Sequence, residues 1–488
     1  MTAAARVTAV RSAERGPEQT VLAVDLDGTL VKTDLLLEAV AGLLKKKPWR
    51  LFSLPIWLLH GVAYLKHQVA RYFPIDAGTL PYREEFTEYL KSQRALGRTI
   101  VLATAGDIET ARRVADHLRL FDLILASDGV TNLAGKAKRR RLVEEFGEKA
   151  FDYAGNSRRD IPVWAAARRA IVVSPSPGVR SRVARVAEVD RVFEEQGKSL
   201  ADYLRALRPQ HWLKNLLLFV PLLAAHRTDD LAAIGNLLLA YLAFCSVASC
   251  GYLINDLLDL SADRSHPNKH RRPFASGEMP LGYAFEMIPA LAVAGFLLAM
   301  LVPGLFVLAV LIYLTLSLLY SLYVKQVVIL DVIFLAGLYT IRILAGSAAA
   351  HVRPSQWLLA FSLFLFLSLA LGKRYSELAL MRRVQGERAR ARGYELSDGD
   401  VLLGMGIASG YVAVLVLALH INSDVAHVLY SRYELLWLLC PLLLYWISAV
   451  WLKAHRGQLP DDPLVFAMKD RASQIVVLLM CVVVLLAL

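Results

Sequence analysis

The sequence predicts a chain in two parts: an N-terminal parallel α/β domain of Rossmann-like build, and a C-terminal all-α bundle crossing a membrane about nine times. Three observations predict this. Up to about residue 195, short apolar runs alternate with helical patterns, which argues for a parallel sheet with crossover helices. Beyond Trp212, long apolar runs follow one another with short charged loops between them. The 488 residues are 56% hydrophobic and 20% charged, and the apolar weight falls mainly in the second part.

The net charge of +12 is accounted for by the loops of a membrane protein, so no nucleic-acid partner is expected. The four cysteines, Cys245, Cys250, Cys440 and Cys481, fall within apolar runs and form neither a metal cluster nor a disulfide framework. Residues 1–20 lack the apolar core of a signal peptide and read as a disordered tail, which leaves the following domain in the cytoplasm.

That domain spans 21–195. VLAVDLDGTL opens it with a buried strand whose C-terminal end delivers Asp25 and Asp27. Further strands are expected at Thr99–Thr104, Leu123–Ala126, Phe151–Ala154 and Ala170–Val173, with helices at Ile108–Leu118 and Lys138–Phe146. Residues 34–80 form a helical cap. Within it, Leu51–Leu65 is apolar but short for a membrane span, and follows Lys45, Lys46, Lys47 and Arg50. Two placements fit: a buried cap helix, or a helix lying in the membrane interface. Residues 180–205 are charged and helix-permissive. They read as a linker and juxtamembrane helix, 196–211 leading into a membrane domain of 212–488.

The first part resembles the haloacid dehalogenase (HAD) superfamily of phosphatases. Asp25 and Asp27 fit its DxDGT motif, Thr104 its second motif and Lys136 its third. The resemblance implies that Asp25 attacks phosphorus while Asp27 protonates the leaving oxygen and later activates water. Thr104 and Lys136 would hold the phosphoryl oxygens, and Mg²⁺ would sit among Asp25, Asp27, Asn156 and Asp160. The fourth motif, YAGNSRRDIPVW, departs from the pattern, because Asn156 stands where an Asp is usual. A neutral ligand weakens metal binding, so a degenerate, binding-only domain is the competing reading.

Nine spans are expected in the second part, at 212–226, 232–254, 282–302, 304–323, 327–350, 355–372, 403–421, 433–452 and 472–488. With the N-terminus inside, the inside loops hold sixteen Lys and Arg, and the outside loops only Arg227, Arg353 and Arg432. The positive-inside rule therefore puts every polar motif on the cytoplasmic face of the cell (inner) membrane.

The densest motif is GYLINDLLDLSADRSHPNKHRRPFASG, Gly251–Gly277. Asn255, Asp256, Asp259 and Asp263 recur at spacings of three and four, which places them on one helical face. Acids at the end of a membrane helix are costly unless a cation meets them, and Arg264, Lys269, Arg271 and Arg272 follow at once. Carboxylates that hold Mg²⁺ beside cations that hold phosphate suit diphosphate cleavage. A solvated charged loop is the bland alternative. A second motif, Tyr320–Gly346, carries Lys325, Asp331 and Arg342. Asp331 and Arg342 share a helix face and should meet a polar cavity or each other. GKRYSEL supplies Lys373 and Arg374, RPQHWLKN supplies Arg208 and Lys214, and LPDDPLVFAMKDR adds Asp461 and Asp462 more weakly.

Together these motifs resemble the UbiA superfamily of intramembrane prenyltransferases, across nearly all of 205–488. NDxxDxxxD is complete; the second motif has Leu335 where many members carry another acid, leaving Asp331 alone. RPxHWxKN, DRxHPxKxxRP, YSxxxK and GKRxxEL resemble the decaprenyl-phosphate phosphoribosyltransferase branch. That resemblance implies 5-phosphoribosyl 1-diphosphate (PRPP) as donor and a polyprenyl phosphate as acceptor. Asp256, Asp259 and Asp263 would hold Mg²⁺, with Asn255, Arg264, Lys269 and Asp331 at the substrate. Lys214, Lys325, Arg342, Lys373 and Arg374 would hold phosphates. The rivals are transfer of a prenyl group to an aromatic acceptor beside a binding-only HAD domain, and a transporter or lipid scaffold.

Overall fold

In a computed structural model, the protein is described over residues 20–195, 197–266, 268–385 (backbone only for 383–385), 393–459, 466–467 and 469–488. The chain forms two compact units. One comprises the chain up to Ala206 together with Asp256–Phe285; the other comprises Leu207–Asn255 with Glu286–Leu488.

The first unit is built on β1 (Val21–Val24), followed by α1 (Leu35–Lys46), α2 (Leu54–Leu59), α3 (Val62–Tyr72) and α4 (Glu84–Ala95). Next come β2 (Ile100–Asp107), α5 (Ile108–Leu118), β3 (Leu123–Ser127), α6 (Lys136–Phe146), β4 (Phe151–Gly155), α7 (Ile161–Ala166), β5 (Arg169–Val173) and, past a short helix, β6 (Glu188–Phe193). The strands pair in parallel in the order β3-β2-β1-β4-β5-β6. Both faces are covered, so the strands read as apolar runs. Alternate residues feed opposite cores: Leu22 and Val24 face one with Ile100 and Leu102, while Val21 and Ala23 face the other with Val101 and Phe151. The order reverses between β1 and β4, which opens a ligand crevice at their C-terminal ends.

The strand β6 replaces part of the charged linker expected at 180–205. EVDRVF lies at the sheet edge with a register shift between Val189 and Arg191, and the adjacent charges Asp190 and Arg191 break the period of two by which a strand is read. The cap also departs from one of its two readings. Trp57 turns inward and stacks on Tyr72 with ring centroids 5.5 Å apart. Its neighbours Trp49, Phe52, Ile56 and Leu59 remain exposed. Most of 51–62 is thus exposed, while Tyr64 and Leu65 at the end of the segment pack against the core.

Among the described residues, six helices are long and apolar enough to cross a membrane: Leu231–Leu258, Leu281–Met300, Leu330–Ala349, Gln356–Arg382, Leu396–Ile421 and Tyr433–His455. Two shorter apolar helices, Phe306–Leu322 and Arg471–Ala487, fall on two more of the expected spans. The first of the nine, 212–226, is instead a 3-10 run, Pro209–Phe219, and a short helix, Val220–Ala224. Pro221, at the junction of the two, lacks the amide that would continue a helix from the preceding turn, while Lys214 and Asn215 are buried. This irregular segment lies against the helix Leu330–Ala349. A Cβ at Gly346 would stand 2.0 Å from the Leu218 carbonyl oxygen, so only glycine permits that approach.

Candidate functional site

The crevice at the ends of β1 and β4 is a cavity of about 1130 Å³, lined by Asp25, Asp27, Lys66, Lys138, Asn156 and Asp160 among others. Its wall includes Pro280, Leu281 and Gly282 from the second segment of the same unit. Asp25 follows β1 directly, and its amide donates to the Ala154 carbonyl at 2.9 Å, which fixes it between the two strands. Lys138 Nζ donates to Asp25 Oδ1 at 2.7 Å and to Tyr153 Oη at 2.9 Å. Burial pushes the Asp25 carboxyl up to about 6 against the pull of Lys138. Burial and then the nearby Asp34 push Asp27 up to about 7. Both carboxyls are thereby held above the usual carboxylate range, and the bonded Lys138 favours the anion of Asp25.

The lysine at this site corrects the sequence expectation. Lys136 begins α6 and is exposed, whereas Lys138, two residues on, is buried against Asp25. Lysines two apart on a helix point in different directions, and the sequence offers both in GKAK. Thr104 is fully buried, and its Oγ1 accepts the Gly106 amide at 2.9 Å. A Cβ at Gly106 would lie 3.2 Å from that oxygen and 3.8 Å from Asp27 Oδ2, so Thr104 and Asp27 border the same small space. Lys66 of the cap, missed in the sequence, donates to the Ala105 carbonyl at 2.6 Å and to Asn132 at 3.1 Å. Burial lowers its pKa.

Asn156 packs on the loop after β1. A Cβ at Gly28 would stand 2.1 Å from its Nδ2, so the loop glycine makes room for it. Asp160 is less available as a metal ligand than expected. Its Oδ1 accepts Tyr153 Oη at 2.7 Å, and its Oδ2 accepts Ser157 N at 3.0 Å and Ser157 Oγ at 2.9 Å. Among the described residues, no three His, Cys, Asp or Glu side chains gather as a ready metal site.

The acid motif lies at the end of the helix Leu231–Leu258. That helix stops at Leu258, and a short helix, Leu260–Arg264, follows after Asp259. Arg272 Nη1 bonds both Asp256, at 3.3 Å, and Asp263. Two carboxylates therefore converge on one cationic position, and a divalent ion held by the pair would have to take the place of Arg272. Asp259 accepts Lys45 Nζ from α1 at 3.0 Å. Arg264, expected at the substrate, is bonded within its own unit. Both terminal nitrogens go to Glu38, at 2.6 and 2.9 Å, and Nε donates to the Ala275 carbonyl at 3.0 Å. Lys269 is half-buried on the same loop.

The second unit buries its own cations. Arg342 Nε donates to Asn215 Oδ1 at 3.0 Å and its Nη2 to Tyr313 Oη at 3.0 Å. Lys214 lies over the Tyr339 ring at 5.5 Å, and Lys325 Nζ stands 3.4 Å from Asn255 Oδ1. Asp331 does not meet Arg342, because eleven residues of helix separate them by roughly 16 Å. It bonds Arg374 instead, which also pairs with Glu377 and donates to Tyr320 Oη at 2.8 Å. Tyr394 completes this cluster, its hydroxyl donating to Asp331 at 2.6 Å. Arg374, expected on phosphate, is thus committed to a buried network, while its neighbour Lys373 is half-buried. Asp461 and Asp462 lie outside the described residues.

The UbiA prenyltransferase family matches residues 216–469. The uncharacterized protein y4nM of Sinorhizobium fredii is 35% identical over 456 residues, covering 93% of this chain and 88% of that protein. A decaprenyl-phosphate phosphoribosyltransferase of Mycolicibacterium smegmatis is 37% identical over 186 residues. That match covers 37% of this chain and 58% of the enzyme. A UbiA homolog from Archaeoglobus fulgidus, solved bound to DMAPP and Mg²⁺, overlays 58% of this chain and 99% of its own at 20% identity, with a TM-score of 0.45.

Proposed function

Because the chain belongs to the UbiA prenyltransferase family, we propose that it transfers 5-phosphoribose from PRPP to a polyprenyl phosphate, and that its first unit then removes the 5-phosphate. The observation that carries the transferase reading is the convergence of Asp256 and Asp263 on one guanidinium nitrogen. Such a pair answers to a metal-bound diphosphate. The motif likeness to the phosphoribosyltransferase relatives supplies the donor.

In this reading Asp256, Asp259 and Asp263 would hold Mg²⁺, which would supply charge neutralisation for the diphosphate. An oxygen of the polyprenyl phosphate forms a bond to the anomeric carbon as the bond to diphosphate breaks, and diphosphate leaves with both electrons. The acceptor is already an anion, so positioning and charge compensation do most of the work. The buried Lys214, Lys325 and Arg342 are the cations to which phosphate binding is assigned, with Lys373 and Lys269 more peripheral.

The first unit acts as a HAD-type phosphatase on the product. Asp25 attacks phosphorus, the ribose 5-oxygen leaves with the proton of Asp27, and water then cleaves the aspartyl phosphate. Lys138 neutralises the attacking carboxylate and the phosphoryl group. Asp25 and Asn156 are the groups that would hold Mg²⁺ there. The grouping of Lys and Arg in alternate loops supports both sites facing the cytoplasm.

Mass spectrometry of lipids made by the purified chain from PRPP, polyprenyl phosphate and Mg²⁺ tests this. The expected product is polyprenyl-phosphoryl ribose without a 5-phosphate. Prenylated aromatic product from a prenyl diphosphate, with no ribosylated lipid, would overturn the reading.

A further inference from the structure

The segment from Trp49 to Val62 presents an apolar surface that the fold leaves uncovered. Trp49, Phe52, Ile56 and Leu59 are 61, 81, 57 and 87% exposed. Their spacings of three, four and three put them on one side of consecutive helical turns, opposite the buried Trp57. Leu51, Leu58 and Val62 widen the patch. Scattered exposed apolar residues need no explanation, but seven within fourteen positions form a contiguous surface of the kind that marks an interaction site.

The rim of the patch is basic. Lys46, Lys47 and Arg50 lie over the rings of Phe73 and Tyr72 at 5.1, 5.5 and 4.3 Å. Those contacts fix the cations beside the apolar stripe, where anionic headgroups would meet them. The neighbouring contacts of the same unit lead to membrane helices. Lys45 holds Asp259, which directly follows the helix Leu231–Leu258, and the cavity wall contains the first residues of the helix Leu281–Met300.

We propose that Trp49–Val62 docks on an anionic lipid bilayer, with Trp49, Phe52, Ile56 and Leu59 among the acyl chains and Lys46, Lys47 and Arg50 at the phosphates. This arrangement is that of an interfacial amphipathic element. It holds the first unit against the bilayer, where a lipid-carried phosphate is presented, and it stands whether or not the substrate proposed above is correct.

The test uses the full chain in nanodiscs, with its four cysteines replaced and an environment-sensitive fluorophore on Phe52→Cys or Leu59→Cys. Leu96→Cys and Val130→Cys, exposed elsewhere on the unit, serve as references. The expected result is blue-shifted emission at 52 and 59, quenched at least twofold by brominated acyl chains, with the references unaffected. Replacing Lys46, Lys47 and Arg50 with Gln should weaken the shift in discs rich in anionic lipid and change it little in discs of zwitterionic lipid alone. Water-like, unquenched emission at 52 and 59 overturns the proposal. So does a shift that occurs only when two copies share a disc, which would assign the patch to a second copy of this chain. If the cysteine-free chain does not fold, a photoreactive phenylalanine at position 52 of the otherwise native chain decides. Lipid adducts support docking, and adducts to protein alone overturn it.

Discussion

Arg264 and Glu38 form a buried two-bond pair, Nη1 to Oε1 at 2.6 Å and Nη2 to Oε2 at 2.9 Å. The pair joins the acid loop to the first helix of the cap within one unit. Removing one partner of such a pair leaves an uncompensated buried charge, which costs about 3–5 kcal/mol. Glu38→Ala should therefore lower the unfolding midpoint of this unit and expose the acid loop to limited proteolysis. Glu38→Ala with Arg264→Ala should be less damaging than the sum of the two single changes. Additive losses in a double-mutant cycle would show that the pair does not couple loop and cap.

Lys45 occupies Asp259 as a competing cation, its Nζ 3.0 Å from Oδ1. A metal that uses Asp259 must displace it. A partly exposed pair of this kind is worth up to about 1 kcal/mol, or roughly fivefold in affinity. Lys45→Ala should lower the Mg²⁺ concentration for half-maximal ribosyl transfer by up to about fivefold. Titration of chelator-treated protein with Mg²⁺ measures this. A raised Mg²⁺ requirement would instead make Lys45 part of the substrate site.

Lys138, not Lys136, should be needed for dephosphorylation. Lys138→Met removes the cation bonded to Asp25 and should leave the ribosylated lipid with its 5-phosphate, as should Asp25→Asn. Lys136→Met should stay within about twofold of the unaltered chain, since exposed substitutions away from a site have small effects. The ratio of the two lipids by mass spectrometry reads all three variants.

The sheet was legible because buried parallel strands are apolar runs ending in turn residues, as at VLAVDLDGT. Asp25 and Asp27 were legible with it, since their place follows from the strand's end. Lys138 was not, because nothing in GKAKRRR says which lysine turns inward. That is settled by the phase of α6 against the sheet. Arg264 misled for a different reason: its partner Glu38 lies 226 residues away in the chain, and no local pattern links them. The segment 212–226 misled because its apolar composition suggests one continuous helix, whereas a 3-10 run gives way to a short helix at Pro221.

Arg374 should prove structural where its neighbour Lys373 proves functional. Arg374 is 1% exposed and bonds Asp331, Glu377 and Tyr320, a set that only a planar, multidentate guanidinium can serve. Arg374→Lys should thus not rescue it. The lysine keeps the charge but loses the geometry, leaving buried acceptors unmet at about 1–3 kcal/mol each. Thermal aggregation of detergent-purified protein should set in at lower temperature for Arg374→Lys and Arg374→Ala alike. Lys373→Ala should keep the unaltered onset while raising the KM for PRPP. Normal stability in Arg374→Lys with a raised KM would return Arg374 to the phosphate-binding set.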